Sequence, residues 1–264
     1  MSGLRPIMSL ALILILTVGC TTTASNRSQI NFVPDGTMNR MGSQAYDDIL
    51  KKERRSPNRA LTERVETIGR RIAAASGAGF QWQFALIDKP DMVNAFCLPG
   101  GKIAVYTGIL KVAANDAGLA AVLGHEVAHA TLRHSAERLS HQLIMQAGSA
   151  VALETFGDNK YKGAIAAAMG IGLQFGVALP FSRAHETEAD KIGLRYMARA
   201  GYDPREAAAL WKRMAAAGGG RSPEILSTHP DPLRRAAALE KEAAGLMGVW
   251  QASPRYPSTA LPVP

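Results

Sequence analysis

The sequence places two histidines and a glutamate in the pattern His-Glu-x-x-His at residues 125–129. Residues four apart share one face of an α-helix, so His125 and His129 can reach one metal ion while Glu126 approaches a water molecule beside it. The neighbouring positions are apolar, and burying these polar groups there is costly unless they are coordinated or hydrogen-bonded. The pattern therefore predicts a metal centre on a helix, with hydrogen-bonded core histidines as the alternative.

A catalytic zinc ion needs a third protein ligand and an open position. Extension of the same helix does not supply the ligand, because Leu132 and Ser135 stand where a glycine and a histidine would be required. Glu186 and Asp190 are four apart on a later predicted helix. We expect Glu186 to bind the metal and Asp190 to accept a hydrogen bond from a ligand histidine. His134 is expected to be exposed.

Three motifs, in this order along the chain, resemble metallopeptidase family 48. They are His-Glu-x-x-His at 125–129, Ser-Arg-x-x-Glu-x-Glu-Ala-Asp at 182–190 and Ser-Thr-His-Pro-x-Pro at 227–232. Residues 94–108 are similar to the strand region before the zinc helix of that family. The resemblance covers about residues 45–240. It implies a gluzincin-type α+β fold, mainly α with a small β-sheet, that holds one zinc ion (Zn²⁺).

The resemblance also implies roles for individual residues. His125, His129 and Glu186 would hold the zinc ion, with Glu126 as general base. For Arg183 two roles are open: it orients Glu186 or Asp190, or it forms a structural ion pair. A peptide substrate would be bound as an added strand through backbone hydrogen bonds along two segments. The residues expected there are Asn94, Ala95, Phe96, Gly101, Ile103 and Val105.

His229 has two functional interpretations. In the family, the corresponding histidine can take the fourth zinc position and keep the enzyme inactive. A histidine there could instead stabilise the tetrahedral oxyanion. A loop histidine before Pro230 without a catalytic role is the third alternative. His141, His185 and Trp211 are expected to be packing or surface residues.

Periodicity supplies the elements that position these residues. Apolar spacing of three and four predicts helices, and strict alternation predicts strands. The predicted helices cover 58–76, 119–139, 204–217 and 232–246, and the predicted strands cover 81–88 and 103–106. The uncharged stretch 163–182 contains Gln174 and Pro180, and fits a buried helix or a cover over the site better than a membrane span. One metallopeptidase domain over residues 46–247, without 34-residue repeats, is expected.

The start of the chain resembles a bacterial lipoprotein signal. An arginine and an apolar run precede Val-Gly-Cys20, which predicts a signal peptide over residues 1–19 and a lipid on Cys20. An ordinary signal peptide or an uncleaved anchor is the alternative. Residues 20–45 are expected to be a flexible tether and 248–264 a disordered tail. The expected location is the periplasmic face of a bacterial outer membrane.

Composition narrows the possible partners. The chain of 264 residues carries a net charge of +8, with basic residues concentrated at 51–71. A solvated helix face explains this cluster better than a nucleic-acid site does, and no nucleic-acid partner is expected. Cys97 is expected to be a small buried hydrophobe. The leading hypothesis is a zinc endopeptidase that cuts misfolded or misassembled envelope proteins; the alternative is a non-proteolytic assembly factor or chaperone with an occluded zinc site.

Overall fold

The computed structural model describes residues 20–146, 181–217 and 225–262. The described residues form mostly helices with two small sheets, so the predicted mainly helical α+β class is confirmed. The strands are β1 (Cys20–Thr22), β2 (Ser28–Ile30), β3 (Gln83–Ile87), β4 (Ala95–Leu98) and β5 (Lys102–Tyr106). The helices are α1 (Asp35–Lys52), α2 (Arg59–Ser76), α3 (Ile109–Ala113), α4 (Asp116–Thr131), α5 (His134–Gln146), α6 (Arg183–Arg199), α7 (Arg205–Ala216), α8 (Ile225–Thr228) and α9 (Pro232–Ala252).

The main sheet has the order β3-β5-β4, with β5 parallel to β3 and antiparallel to β4. Helices cover both of its faces. Alternate strand residues such as Phe96 and Tyr106 pack on α1, while neighbours such as Ile103 and Val105 join the larger core around α2 and α4. Burial on both faces explains why these strands are almost continuously apolar. Cys97 lies in β4 and is buried, as expected.

Helices α4 and α6 touch through their backbones. A Cβ atom added at Gly193 would lie 2.7 Å from the carbonyl oxygen of Gly124 and 2.9 Å from the backbone nitrogen of His125. Real Cβ atoms do not approach backbone atoms so closely. The two glycines therefore let the helix with the His-Glu-x-x-His pattern lie directly against the helix that carries Glu186.

The predicted helix 119–139 is wrong as one continuous element. It ends at Thr131, and a new helix starts at His134. Between them Arg133 has a φ of 58°, in the left-handed region that side chains disfavour. This turn reverses the chain and brings α5 back toward the end of α4.

The predicted tether and tail are also wrong for the residues described. Within 20–45 the chain forms β1, β2 and the start of α1, because polar side chains of this segment find buried partners on α5 and α6. At the other end α9 continues to Ala252. The following residues pack on the domain, where Leu261 is buried and the Thr259 hydroxyl donates to Asp116 at 3.0 Å. The predicted signal peptide lies outside the described residues.

Within the described ranges, no helix has the length and apolar character needed to cross a membrane. The uncharged stretch 163–182 lies, except for its last two residues, outside the described residues.

Replacement of Gly193 by alanine should destabilise the protein by about 1–3 kcal/mol, because the new methyl group meets backbone and forces α4 and α6 apart. Urea unfolding of the Gly193→Ala variant checks this expectation. Gly245→Ala is the matched control, since Gly245 lies on an exposed face of α9 with open space around its Cβ position. That change should be neutral or stabilising by up to about 1 kcal/mol. Equal effects of both changes would contradict the role given to the helix contact.

Candidate metal centre

Helix α4 brings the two histidines of the pattern to one point. The helix is buried on nearly every side, with Asn115 capping its start by accepting a hydrogen bond from the Gly118 backbone at 2.8 Å. The Nε2 atoms of His125 and His129 lie 3.0 Å apart. Both rings are at least 95% buried. The i, i+4 geometry expected from the sequence is therefore present.

Helix α6 delivers a carboxylate to the same point. Ser182 caps its first turn by accepting a hydrogen bond from the backbone of His185, and Glu186 follows in that turn. The Oε2 atom of Glu186 lies 3.5 Å from Nε2 of His125, and Oε1 lies 3.4 Å from Nε2 of His129. Glu186 is 1% exposed. The residue predicted as third ligand thus faces both imidazoles.

His229 completes the group from the turn after α8. Its Nδ1 atom lies 3.0 Å from Oε1 of Glu186 and 3.2 Å from Nε2 of His125. One ligand atom from each of His125, His129, Glu186 and His229 lies within 4.8 Å of the other three. Among the described residues these are the ones that combine as candidate metal ligands.

The residues present fit a zinc ion. Nitrogen and carboxylate donors are the ligands that zinc takes in catalytic sites. The buried Oε1 atom of Glu126 has no hydrogen-bond partner and lies 3.6 Å from Nε2 of His229. The carboxylates of Glu186 and Asp190 are buried against the guanidinium of Arg235, and Glu126 adds a third buried carboxylate to the centre. A divalent cation would offset the excess of negative charge.

Arg235, from α9, is the residue of this centre that sequence reasoning missed. Its Nη1 lies 2.7 Å from Glu186, and its Nη2 and Nε bind Asp190 at 2.5 and 2.8 Å. The guanidinium also stacks on Trp211, with 3.5 Å from Cζ to the ring centroid. Asp190 in turn lies 3.1 Å from Nδ1 of His125. Nothing in the sequence distinguishes Arg235 from its exposed neighbour Arg234.

Arg183 does not reach the centre. Its side chain is 81% exposed and lies 3.4 Å from Asp231, so the expectation that it orients the ligands is wrong. Arg235 holds that position instead, because α9 packs against α6 and presents a buried guanidinium to Asp190.

His134 is fully buried, and the expectation of an exposed ring is wrong. The left-handed turn at Arg133 carries it back to α4, where its Nδ1 lies 3.0 Å from Nδ1 of His129. Its Nε2 lies 3.2 Å from Glu188. His185 stacks on His134 and contacts Glu137 at 3.0 Å, so it is a buried packing residue.

Burial and neighbouring charges set the protonation of the centre. Burial alone would raise the pKa of Glu186, but His229 and Arg235 outweigh burial and hold that pKa well below its usual value. Burial lowers the pKa of His129 well below its usual value, which leaves the neutral ring that a metal requires. Burial raises the pKa of Glu126, as suits a group that takes up a proton.

The structure separates the residues expected to bind substrate. Ile103 and Val105 are unsuitable, because β5 is the central strand and its backbone already pairs with β3 and β4. Gly101 directly precedes β5, and its carbonyl already accepts a hydrogen bond from the backbone of Gln83 at 2.9 Å. Ala95 and Phe96 lie in β4, which is an edge strand of the sheet, and Asn94 directly precedes it. Helix α4, which carries the histidines, packs beside β4.

A buried helix with His-Glu-x-x-His, joined by a glutamate from a second helix, defines a metallopeptidase centre of the gluzincin type. Residues 59–243 match peptidase family M48, which is more than half of the chain. The chain therefore belongs to peptidase family M48, as the sequence motifs predicted. The family is zinc-dependent, which confirms the predicted cofactor.

Relatives with established names are metalloendopeptidases. The chain is 39% identical over 223 residues to the mitochondrial metalloendopeptidase OMA1 of Schizosaccharomyces pombe, and the match covers 82% of this chain and 64% of that protein. Its identity to OMA1 of Saccharomyces cerevisiae is 34%, over 82% of this chain and 67% of the relative. It is 30% identical to the beta-barrel assembly-enhancing protease of Escherichia coli, over 69% of this chain and 39% of that protein. The chain thus spans about two thirds or less of these proteins.

The predicted location at the periplasmic face of a bacterial outer membrane is wrong by this comparison. The relatives at 39% and 34% identity are mitochondrial enzymes. The lipid on Cys20 stays a prediction from the sequence.

Replacement of Glu186 by glutamine should abolish stoichiometric zinc binding, because the neutral amide removes the charged ligand that faces both imidazoles. Elemental analysis of the purified variant measures this directly. Glu242→Gln, which changes an exposed glutamate of α9, should bind zinc like the wild type. Full zinc content in Glu186→Gln would exclude Glu186 as a ligand.

Proposed function

We propose that this chain is a zinc endopeptidase that cleaves unfolded or misassembled polypeptides in a quality-control role. One observation carries the proposal: four ligand atoms converge within 4.8 Å beside Glu126, a buried carboxylate with an unpartnered oxygen. Burying a carboxylate without a hydrogen-bond partner costs free energy. A role of Glu126 in the chemistry of the site accounts for that cost. Membership of family M48 and the names of the relatives support the same class of reaction.

His125, His129 and Glu186 would hold the ion, and Asp190 with Arg235 keeps two of these ligands in place. When bound, zinc supplies a Lewis acid that polarises the scissile carbonyl and lowers the pKa of water to about 7. Glu126 accepts the proton of the attacking water and then donates it to the leaving amine. Its raised pKa suits both transfers, because the carboxyl must gain and lose the proton near neutral pH.

The position of β4 at the edge of the sheet supports the proposal that the substrate is an unfolded polypeptide. An extended peptide can add to a free strand edge through backbone hydrogen bonds, which depend little on the sequence of the peptide. Asn94, Ala95 and Phe96 are the residues that we propose for this contact. The segment leading to His229 meets the start of the same strand, where the Ile225 backbone donates to the carbonyl of Val93 at 3.1 Å.

Replacement of Glu126 by glutamine should lower the cleavage rate of unfolded casein by about 10²–10⁴-fold, the usual contribution of a general base. The zinc content should remain, since Glu126 is not a proposed ligand. Glu63→Gln, on the exposed face of α2, serves as the control with unchanged turnover. Equal cleavage by wild type and Glu126→Gln would refute the proposed enzyme.

The position of His229 favours a second function, binding of unfolded chains without cleavage. Its Nδ1 atom lies among the ligand atoms, and its Nε2 faces the catalytic carboxylate. A fourth protein ligand there would take the place that water needs. We propose that His229 in this position lowers the activity of the peptidase, and that a chain held in this arrangement binds unfolded polypeptides without cutting them.

Replacement of His229 by alanine should therefore raise casein cleavage several-fold at unchanged zinc content, because the fourth position becomes open to water. The assay compares wild type, His229→Ala and His229→Ala combined with Glu126→Gln. The combined variant should be inactive. A lower rate in His229→Ala would instead indicate stabilisation of the oxyanion. Casein binding without cleavage by both wild type and His229→Ala would favour the chaperone alternative.

A further inference from the structure

The carboxylate of Glu188 is bound by the turn between β1 and β2. Glu188 follows the proposed ligand Glu186 by two residues on α6 and is 4% exposed. The hydroxyls of Thr23 and Ser25 donate to its Oε1, and Nε of Arg27 donates to its Oε2 at 2.7 Å. Three donors from one five-residue turn thus converge on a single buried carboxylate.

Arg27 joins this carboxylate to a second one. Its Nη1 and Nη2 donate to the two oxygens of Glu137 on α5 at 2.7 and 2.6 Å. Burial opposes ionisation of Glu137, but Arg27 and His185 lower its pKa to about 2. The guanidinium therefore supplies the positive charge between two buried carboxylates that belong to different helices.

Glu188 also reaches the metal centre through His134. Its Oε2 lies 3.2 Å from Nε2 of His134, and Nδ1 of His134 lies 3.0 Å from Nδ1 of His129. An ionised carboxylate only accepts hydrogen bonds, so the proton of His134 must be on Nε2. With its single proton on Nε2, the ring leaves Nδ1 as an acceptor.

The direction of these hydrogen bonds, from His129 through His134 to Glu188, fixes the tautomer of His129. Because Nδ1 of His134 accepts, Nδ1 of His129 must donate, and the lone pair of its Nε2 then faces His125 and Glu186. Hydrogen bonds of this kind to the second nitrogen of a ligand histidine fix the ring and raise its basicity. The guanidinium of Arg27 is the permanently charged group at the end of this series of hydrogen bonds.

We propose that Arg27 is a positioning residue for His129, acting through Glu188 and His134, and that the β1–β2 turn is thereby part of the support of the zinc site. The inference rests on the proposed zinc centre. Without the guanidinium, Glu137 and Glu188 lose the cation that they share, and Glu188 keeps only the neutral donors Thr23 and Ser25, which hold it less firmly against His134. The ring of His129 then loses the partner that holds its tautomer.

The first experiment measures zinc affinity of the full chain by competition with a chromophoric chelator. Arg27→Gln should bind zinc about 10–100-fold more weakly than wild type, the usual cost of losing an outer-sphere partner. Arg64→Gln is the matched control. The Arg64 side chain is 25% exposed, against 26% for Arg27, and it also pairs with a carboxylate, that of Asp116, which lies away from the centre. It should lose stability but keep wild-type zinc affinity.

The second experiment separates positioning from general stability. With cobalt(II) in place of zinc, Arg27→Gln and His134→Ala should both shift the visible absorption bands, and Arg64→Gln should not. In zinc affinity, Arg27→Gln combined with His134→Ala should be no weaker than His134→Ala alone, because both act through one path. Arg27→Lys keeps the positive charge but loses the separate guanidinium donors. Its zinc affinity should lie between those of wild type and Arg27→Gln, and it provides the test if Arg27→Gln does not fold.

Zinc affinity within twofold of wild type in both Arg27 variants, with unchanged cobalt bands, would overturn the inference and leave the proposed peptidase intact. Additive losses in the double variant would also overturn it. A wild-type chain that binds no zinc would refute the proposed function and this inference together.

Discussion

Helices α4 and α6 approach so closely at Gly124 and Gly193 that no side chain fits between them. This contact lets Glu186 and Asp190 face the histidines of α4. At an ordinary interhelical distance of 8–10 Å, set by larger side chains, the carboxylates would be further from the imidazoles. Arg235 of α9 then pairs with both carboxylates.

The close approach creates an electrostatic requirement. Several ionisable groups are removed from water together, and each needs a partner of opposite charge or a hydrogen bond. Arg235 answers this on one side of the centre and Arg27 on the other. One oxygen of Glu126 is buried without a hydrogen-bond partner. The centre is thus paired around the proposed ligands and leaves one acceptor atom free on the proposed general base.

The sequence predicted well what is local and poorly what depends on tertiary contacts. Helix periodicity is enough to place His125 beside His129, and four-residue spacing is enough to relate Glu186 to Asp190. Arg235 could not be found in this way, because its partners lie on other helices. The burial of His134 depends on the left-handed backbone conformation of Arg133, which an arginine at that position does not predict.

The strand order and the folded N-terminal segment show the same limit. Both β4 and β5 have strand character, and among the described residues only their pairing shows that β5 is central and β4 lies at the edge of the sheet. A segment rich in threonine, serine and asparagine is typical of a linker, yet here Thr23 and Ser25 hydroxyls bind a buried carboxylate. Composition describes how a segment meets water, and it does not show which buried group that segment will solvate.

The centre draws on residues distant in sequence. Arg235 and His125 are 110 positions apart, and Thr23 and Glu188 are 165 apart. Contacts of such long range form late in folding, because closing the intervening loops costs entropy first. A growing chain that still lacks α9 lacks Arg235, the cation that pairs with Glu186 and Asp190. The buried charges of the centre are therefore balanced only after α9 has been synthesised and has packed against α6.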